Sequence, residues 1–445
     1  MRHLLLFVLP ATACAAQLEV LSLLSWQRLP VGERAMAEGG AVVARINGPS
    51  AGYGNPAGLA DLAMPTVSGT VDVLEYTRVA SRTPGGTAAT ADDVGLKPNL
   101  VGFANALDGG AGGWAFTLAS PLTWSSGLEV RTETPTGSRR DDGRSTLEMT
   151  AVGLTWGRRL APTLCAGLGL EAWLTDYRFD TGTSAQDATS VLTATYTERG
   201  RQSALRAVLG VQWAGDGWQL GGLLRTPGLM LLGQGSITGS STSGDGTTIT
   251  QSDITDDDAQ FAVPLPWQLV LGAAWLPAAI PGLELEADLD FHAGSGSVEV
   301  FGQASGLSTS LTGGVRTSSS ISQAARTVDL RPVCNPRLGL RYRFPGTLLD
   351  RTVYGHLGGY IERSPVDSSD VFSQLDLLGG TAGVSFEKGP MQVTIAAAYV
   401  TSGTLQDALG YVSSPSEGIN PELDDADASY AVRTFSLSLA SSYRF

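Results

Sequence analysis

The chain has 445 residues, of which 42% are hydrophobic, 16% are charged and 56 are glycine, and its net charge is −14. The acidic balance and the lack of a basic stripe argue against nucleic acid as a partner. Outside the first residues no apolar run is long enough for a membrane-spanning helix, since the longest, Leu269–Leu283, contains Pro277 and Pro281. A membrane protein without spanning helices has to be a closed β-barrel. The alternative for this composition is a secreted, soluble β protein.

The chain begins with the features of an export signal. Met1-Arg2-His3 is followed by an apolar run from Leu4 to Leu9 and by small residues up to Ala16. A basic start, a short apolar core and a small-residue end are typical of a secretory signal peptide, so we expect residues 1–16 to be removed. A lipoprotein signal that uses Cys14 is the alternative.

Residues 17–60 do not alternate like a strand. They are rich in small residues, most densely at Gly39-Gly40 and around Asn55-Pro56-Ala57. Small residues suit a segment that lies close to other backbones, and Asn-Pro is a turn signal. We therefore expect residues 17–60 to plug the lumen of a barrel formed by residues 61–445. An ordinary extension outside the barrel is the alternative.

Segments of alternating apolar and polar residues recur from residue 66 to the end, as in strands with one apolar face. Their number is even, and short and long connections alternate between them, as in outer-membrane barrels. A count of sixteen stays possible if 321–343 contains a hairpin. The fourteen predicted strands are 66–77, 99–107, 112–124, 145–159, 164–180, 201–214, 217–239, 259–276, 282–304, 321–343, 351–364, 373–388, 390–403 and 429–445. The predicted long loops are 78–98, 125–144, 181–200, 240–258, 305–320 and 404–428.

Two neighbouring predicted strands carry opposite charges. With their apolar faces toward lipid, an acidic and a basic ladder face the lumen, where opposite charges on paired strands stabilise the sheet. The apolar face of the second strand includes Val328, Leu330, Cys334 and Leu338. Stiffening of a polar interior is the simpler role, and a substrate pathway is the alternative. The ladder residues are Glu284, Glu286, Asp288 and Asp290 on one strand and Arg331, Arg337, Arg341 and Arg343 on the other.

Few residues of the predicted barrel are suited to catalysis or metal binding. His292 and His356 have no recognisable Ser or Asp partner by spacing, so we do not expect an enzyme. Cys165 and Cys334 fall in strands that we place far apart, so we expect no disulfide. No cluster has the spacing of a metal site, and the acidic stretches 253–258 and 422–427 lack the EF-hand pattern. We expect no cofactor; weak divalent-ion binding by these stretches is the alternative to solvated charge.

Several motifs resemble one family. The alternating end of the chain, Phe435–Phe445, resembles the C-terminal signal of outer-membrane barrels. The stretch Gly32–Leu59, with its Gly-Gly-Ala and its aromatic residue before Asn-Pro-Ala, resembles the hatch signature of the FadL-type family, outer-membrane transporters of long-chain fatty acids and aromatic hydrocarbons. Gly112–Trp124, Phe261–Asp288 and Gly358–Val366 are similar to later strands of that family, so the resemblance covers most of the chain. The family's acidic residues before Ser-Ala are missing at Arg45–Gly48.

The resemblance implies an all-β fold, a transmembrane antiparallel barrel of about fourteen strands with an N-terminal hatch in the lumen. It also implies an outer-membrane channel of a Gram-negative bacterium with periplasmic termini, in contact with lipid and lipopolysaccharide, which we expect to be a monomer. Its function would be passive uptake of a hydrophobic small molecule that leaves sideways through a gap in the wall. For the gap, Gly112, Gly113 and Pro121 are candidates because glycine and proline interrupt strand ladders.

The ligand pocket is a hypothesis drawn from the apolar start of the segment, 18–26, which would lie in an otherwise polar lumen. Its candidate residues are Leu21, Leu23, Leu24 and Trp26, although packing of the plug explains them equally well. Two other functions stay possible. An open diffusion porin would require residues 17–60 to lie outside the lumen, and a structural or secretion-associated barrel would copurify with a protein partner.

Overall fold

The computed structural model describes residues 25–82, 88–107, 112–134, 137–348, 350–366, 376–402 and 429–445. Across these residues the strands form a closed antiparallel barrel in which each barrel strand pairs with its chain neighbours and the last, β20, pairs with β1. The predictions of an all-β barrel and of fourteen strands are confirmed. Ten barrel strands are single segments, β1 (Thr66–Arg82), β2 (Ala88–Ala106), β3 (Gly112–Thr134), β4 (Gly137–Ala161), β5 (Leu164–Asp187), β6 (Val191–Gly215), β17 (Thr352–Glu362), β18 (Leu377–Lys388), β19 (Met391–Ser402) and β20 (Ser429–Arg444).

The seventh to tenth barrel strands are broken into shorter segments. Each was predicted as one continuous strand, which is wrong. Three of the six breaks contain proline, which has no N–H to donate to the ladder, as at Pro227, Pro264, Pro266 and Pro332. The segments are β7 (Trp218–Arg225) and β8 (Leu229–Gly244) in the seventh; β9 (Thr248–Ala259) and β10 (Gln268–Trp275) in the eighth; β11 (Leu283–His292), β12 (Gly296–Phe301) and β13 (Ala304–Thr312) in the ninth; and β14 (Val315–Gln323), β15 (Arg326–Leu330) and β16 (Val333–Arg343) in the tenth.

Five of the predicted long loops are hairpin extensions of the barrel strands. The β5–β6 ladder, for example, continues to Gln186 and Val191 at the hairpin tip, and the four others, 78–98, 125–144, 240–258 and 305–320, are also largely paired. These stretches are rich in Ser, Thr, Gly and Asp and have no apolar face, so their alternation is invisible in the sequence although their backbones pair. The sixth, 404–428, lies outside the described residues.

The outer surface of the barrel is apolar over a band of the strands. On β5, Leu164, Leu168, Leu170 and Leu174 face outward and are exposed, whereas the residues between them are more buried. On the outward face of β5, charge begins only beyond this band, with Asp176. Aromatic pairs lie at the end of the barrel that carries the short turns, among them Trp218 with Trp275, Tyr342 with Phe344 and Tyr443 with Phe445. An apolar band with an aromatic margin is the surface of a transmembrane β-barrel.

The N-terminal segment, residues 25–62, fills part of the barrel interior. It contains one α-helical turn, α1 (Ala51–Gly54), and a 3-10 helix, Pro56–Asp61. The segment contacts strands on several sides: the Val42 N–H donates to Asp288 of β11, the Asn55 side-chain amide donates to Val211 of β6, and Gly39 lies against β17. Nearly all of its residues are buried. No helix within the described residues is long and apolar enough to cross a membrane.

Candidate functional site in the barrel interior

An apolar cavity lies beside the beginning of the N-terminal segment. Its volume is about 10 Å³, so it has room for about one water-sized group. Side chains from β3, β4, β12, β15 and the break between β9 and β10 surround it, and they belong to the largest buried apolar cluster of the molecule. The lining residues are Ser25, Trp26, Leu122, Leu147, Met149, Val263, Pro264, Val300, Val328, Leu330 and Pro365.

Trp26 is the one predicted pocket residue that the structure describes, since Leu21, Leu23 and Leu24 lie outside the described residues. It lines the cavity, and its ring stacks on His292 with the ring centroids 6.3 Å apart. Its indole Nε1 is buried and has no hydrogen-bond partner among the described residues. A buried donor without a partner costs free energy, so this N–H is a candidate contact for a polar atom of a ligand.

Two cavity residues were assigned to the wrong side of the wall. Val328 and Leu330 were predicted to share a lipid-facing surface with Cys334 and Leu338, but both are buried and line the cavity. The tenth strand breaks between β15 and β16, so the alternation changes phase: buried residues have even numbers before the break and odd numbers after it. Pro332 was the only sign of this break in the sequence.

Gly39 and Gly40 both have a left-handed backbone conformation, with φ angles of 64° and 80°. A Cβ atom on Gly39 would lie 2.6 Å from the backbone nitrogen of Gly359, and one on Gly40 would lie 2.8 Å from the Arg337 guanidinium. Glycine adopts this conformation without steric cost. The pair therefore lets the N-terminal segment turn in direct contact with β16 and β17.

Asn55, Pro56 and Ala57 attach the segment to the opposite side of the barrel. The Asn55 side-chain amide donates to the carbonyl oxygens of Val43 and Val211, at 2.9 and 3.0 Å. Its Oδ1 accepts from the Ala57 N–H and so caps the 3-10 helix, in which Pro56 occupies the first turn. One side chain thus joins two parts of the segment to β6.

The acidic ladder of β11 holds the N-terminal segment. Asp288 Oδ2 accepts hydrogen bonds from the backbone N–H groups of Val42 and Val43, at 2.8 and 3.0 Å. Glu286 accepts from the Ala44 N–H at 2.6 Å and from Arg45 at 2.5 Å. The other two residues continue the pattern: Glu284 pairs with Arg34, Arg45 and Arg341, and Asp290 pairs with Arg337.

The basic ladder contributes less than was expected. In the β11–β16 register, Arg337 lies opposite Asp288 and Arg341 lies opposite Glu284, and Arg337 also binds Glu362 at 2.6 Å. Arg331 and Arg343 do not face the acidic residues, so the prediction is wrong for both. Arg331 lies in the break before β16 and donates to the Ser364 carbonyl oxygen, while Arg343 is exposed at the strand end.

Sequence spacing missed a buried chain of side chains that begins at Glu38. The Glu38 carboxylate contacts Arg34, Arg45 and His356, and the far nitrogen of His356 lies 2.8 Å from the Ser385 hydroxyl. Burial acts to raise the pKa of Glu38, but the nearby cations and the hydrogen bond to His356 outweigh it and hold that pKa below its ordinary value. These residues are far apart in sequence, so spacing could not reveal them.

The wall is interrupted between β2 and β3. Their ladder ends at the pair Leu100–Ala119, beyond which β2 pairs only with β1 and β3 pairs only with β4. Pro98 and Pro121 lie beside a cleft at this point. Of the gap candidates, Pro121 therefore adjoins an interruption, while Gly113 is paired on both sides and Gly112 is paired with Arg158 of β4.

No protein-family model and no curated protein matches the sequence, but solved structures do. A FadL homologue of Pseudomonas aeruginosa is 14% identical, with a TM-score of 0.58 over 95% of this chain and 100% of that chain. The toluene transporter TodX of P. putida is 14% identical, with a TM-score of 0.60 over 94% and 99% of the two chains. The toluene transporter TbuX of Ralstonia pickettii is 14% identical, with a TM-score of 0.57 over the same shares. The chain therefore has the fold of the FadL-type outer-membrane barrels.

Proposed function

We propose that the protein is an outer-membrane channel for the passive uptake of hydrophobic small molecules. The observation that carries the proposal is an apolar cavity inside a lipid-facing barrel, next to a buried N-terminal segment. An apolar molecule gains free energy when it leaves water for such surroundings. The structural neighbours, two of which are toluene transporters, have the same architecture.

The N-terminal segment, within the predicted range 17–60, acts in this proposal as a plug. Its backbone is bound by Glu286 and Asp288, and Arg45 is bound by three carboxylates. Buried and bonded in this way, the plug prevents free passage of water and of polar solutes. We place the chain termini in the periplasm, the outer band in contact with lipid and lipopolysaccharide, and the protein as a monomer.

Because the plug obstructs the axis of the barrel, we propose that the ligand crosses the wall sideways at the β2–β3 interruption. Proline at positions 98 and 121 keeps that edge from pairing. The cleft there is lined by Arg28, Glu75 and Lys97 as well as by apolar atoms, and such surroundings suit a ligand with a charged end, such as a fatty acid.

The test is uptake by Gram-negative cells that lack their own transporter of this kind. We expect cells with the protein to take up radiolabelled palmitate or toluene faster than cells without it. Pro98→Val combined with Pro121→Val restores two ladder N–H donors and should lower palmitate uptake by more than half. No uptake of either compound, with folded protein shown at the cell surface, would contradict the proposed function and favour a structural or secretion-associated barrel.

A further inference from the structure

A second interruption of the wall lies between the seventh and eighth barrel strands. The β8–β9 ladder ends at Gly235–Ala259, and the β7–β10 ladder ends at Arg225–Gln268. Between them, residues 226–234 and 260–267 form no ladder with each other. The backbone bond from the Gly228 N–H to the Leu265 carbonyl oxygen is 2.8 Å long. Pro264 and Pro266 have no N–H and so cannot extend this contact into a ladder.

On the outer side of this interruption, exposed apolar residues follow one another without buried residues between them. The four residues from Leu229 to Leu232 are between 43% and 71% exposed. In a regular strand of the wall every second side chain would be buried, but the β6–β8 register shifts within this stretch, so that Leu231 is an extra residue between the pairs Ala204–Met230 and Ser203–Leu232. This β-bulge accompanies the loss of alternation. Leu229 lies opposite Leu205 of β6, and Leu232 lies opposite Ser203. The next exposed residue of β6 beyond Ser203 is charged, Arg201. The stretch therefore lies at the margin of the apolar band.

The inner side of the same interruption is the wall of the cavity. Residues 260–267 turn inward, where Val263 and Pro264 line the cavity. Gln202 holds this inner segment by accepting from the Val263 N–H and donating to its carbonyl oxygen, at 2.5 and 2.9 Å. The segment packs against the outer stretch directly, since a Cβ atom on Gly228 would lie 3.0 Å from the Leu265 Cβ. The inner segment and the outer stretch packed against it thus separate the cavity from the outer surface of the barrel.

The two interruptions differ in chemistry. At the β2–β3 interruption, Arg28 and Lys97 both bind Glu75, and Asn99 and Asp72 also line the cleft. A hydrocarbon passing there has no polar atom with which to replace the interactions that it disturbs. At the second interruption the outer stretch Leu229–Leu232 and the inner residues Val263, Pro264 and Leu265 are apolar. Polar side chains there include Gln202, which bonds to Val263, and Arg206, which donates to the carbonyl oxygens of Thr226 and Pro266. Within the described residues neither of them forms an ion pair, so a hydrocarbon disturbs no ion pair at this point.

We propose that the interruption between residues 226–234 and 260–267 is a second lateral opening, used by uncharged hydrocarbons that pass between the cavity and the surrounding lipid. Residues 260–267 form its movable inner wall. The inference rests on the proposed function, because it assigns a route to the same cavity. The two openings separate ligands by charge: a hydrocarbon crosses at the second opening, while a ligand with a carboxylate crosses at β2–β3.

A reversible disulfide tests the second opening. In a Cys165→Ala, Cys334→Ala background, Gly228→Cys with Leu265→Cys places two thiols in contact, after a shift of less than about 1 Å toward the usual Cβ separation of about 3.8 Å. The bond would fix the inner segment to β8. The matched control is Leu220→Cys with Ala273→Cys, a pair directly opposed in the intact β7–β10 ladder. Initial uptake of toluene and palmitate is measured for each protein before oxidation, after oxidation and after re-reduction.

We expect oxidation of the Gly228–Leu265 pair to reduce toluene uptake by more than half and re-reduction to restore it, with palmitate uptake unchanged. The control disulfide should change neither. Equal toluene uptake in the oxidised and reduced forms would overturn the second opening and leave the proposed function standing. Equal loss of toluene and palmitate uptake would overturn the separation by charge. If neither the reduced protein nor its parent takes up either compound, the proposed function is overturned, and the second opening with it.

Discussion

Nδ1 of His356 on β17 lies 2.9 Å from Oε1 of Glu38 in the N-terminal segment, and both side chains are fully buried. The other ring nitrogen is 2.8 Å from the Ser385 hydroxyl, which is 2.8 Å from the hydroxyl of Thr394. This series of side-chain contacts connects the N-terminal segment to β17, β18 and β19. A carboxylate, an imidazole and a hydroxyl in series resemble a hydrolytic triad, but these groups have no exposed surface through which to meet a substrate.

Replacement of His356 by alanine should therefore destabilise the protein. The change leaves the Ser385 hydroxyl and one Glu38 oxygen with fewer partners, and a buried polar group that loses its partner costs about 1–3 kcal/mol. The free energy of unfolding in denaturant measures the effect. Leu357→Ala on the outward side of the same strand is the control and should cost less, because it breaks no hydrogen bond. Equal losses in the two variants would mean that the Glu38–His356 contact is unimportant.

The carboxylates of β11 differ in how they hold the plug. The single-channel conductance of variants that lack one carboxylate should show this difference. Glu286 is buried and binds both the Ala44 N–H and Arg45, whereas the Glu284 side chain is 23% exposed. Removal of one member of a buried ion pair costs about 3–5 kcal/mol. We expect Glu286→Ala to loosen residues 42–45 and to raise the single-channel conductance in planar bilayers, and Glu284→Ala to raise it less. Unchanged conductance in Glu286→Ala would contradict a plugging role for this contact.

The strand count was predictable because lipid on one side imposes alternation. In β5 an apolar residue recurs at every second position from Leu164 to Leu174, as expected for a strand with one face toward lipid. The hairpin extensions lack this signal because both of their faces meet water. Their pairing depends on backbone hydrogen bonds, which every residue except proline provides, and so leaves no pattern in the side chains.

The interior was less predictable than the wall because its contacts join residues that are remote in sequence. The acidic residues of β11 were visible as a ladder, but nothing in their spacing indicated that Val42, Val43 and Arg45 would be their partners. The phase change before β16 likewise depended on one proline, Pro332, in a segment with continuous alternation. A break that inverts the two faces of a strand moves every later residue to the other side of the wall.

Enlargement of the cavity should increase ligand binding at the expense of stability. Met149 is 1% exposed and lines the cavity, whose present volume admits only about one water-sized group. Met149→Ala removes buried atoms and is expected to cost about 2–5 kcal/mol. It should also increase the affinity for toluene, measured by calorimetry in detergent, because less side-chain displacement is needed. Leu154→Ala on the outward face of β4 should leave the affinity unchanged, and an equally unchanged affinity in Met149→Ala would place the binding site elsewhere.

Glu33 makes the stability of the protein depend on pH, and a single substitution at Glu33 removes that contribution. It lies in the buried N-terminal segment, where Ser50 donates to Oε1 and Oε2 has no partner within the part of the chain that the structure describes. Burial raises the pKa of Glu33 by more than its hydrogen bonds and the charge of Arg34 lower it. A carboxyl whose pKa is higher in the folded state stabilises the fold below its unfolded pKa, and that contribution is lost as the pH rises through the folded pKa. Above its folded pKa the ionised group is therefore a cost.

We accordingly expect Glu33→Gln to be more stable than the unaltered protein at pH 7 to 8, because it buries no charge and keeps an oxygen for Ser50. The difference should shrink as the pH falls and should vanish once Glu33 is protonated in both the folded and the unfolded state. Glu38 has the opposite shift, but it is present in both proteins and cancels in the comparison. The measurement is the difference in unfolding free energy between the two proteins, from pH 8 down to the acidic pH at which Glu33 is protonated in both states. A difference that does not change with pH would show that the substitution acts through packing, whereas a decrease toward low pH would identify the buried carboxylate as the cause.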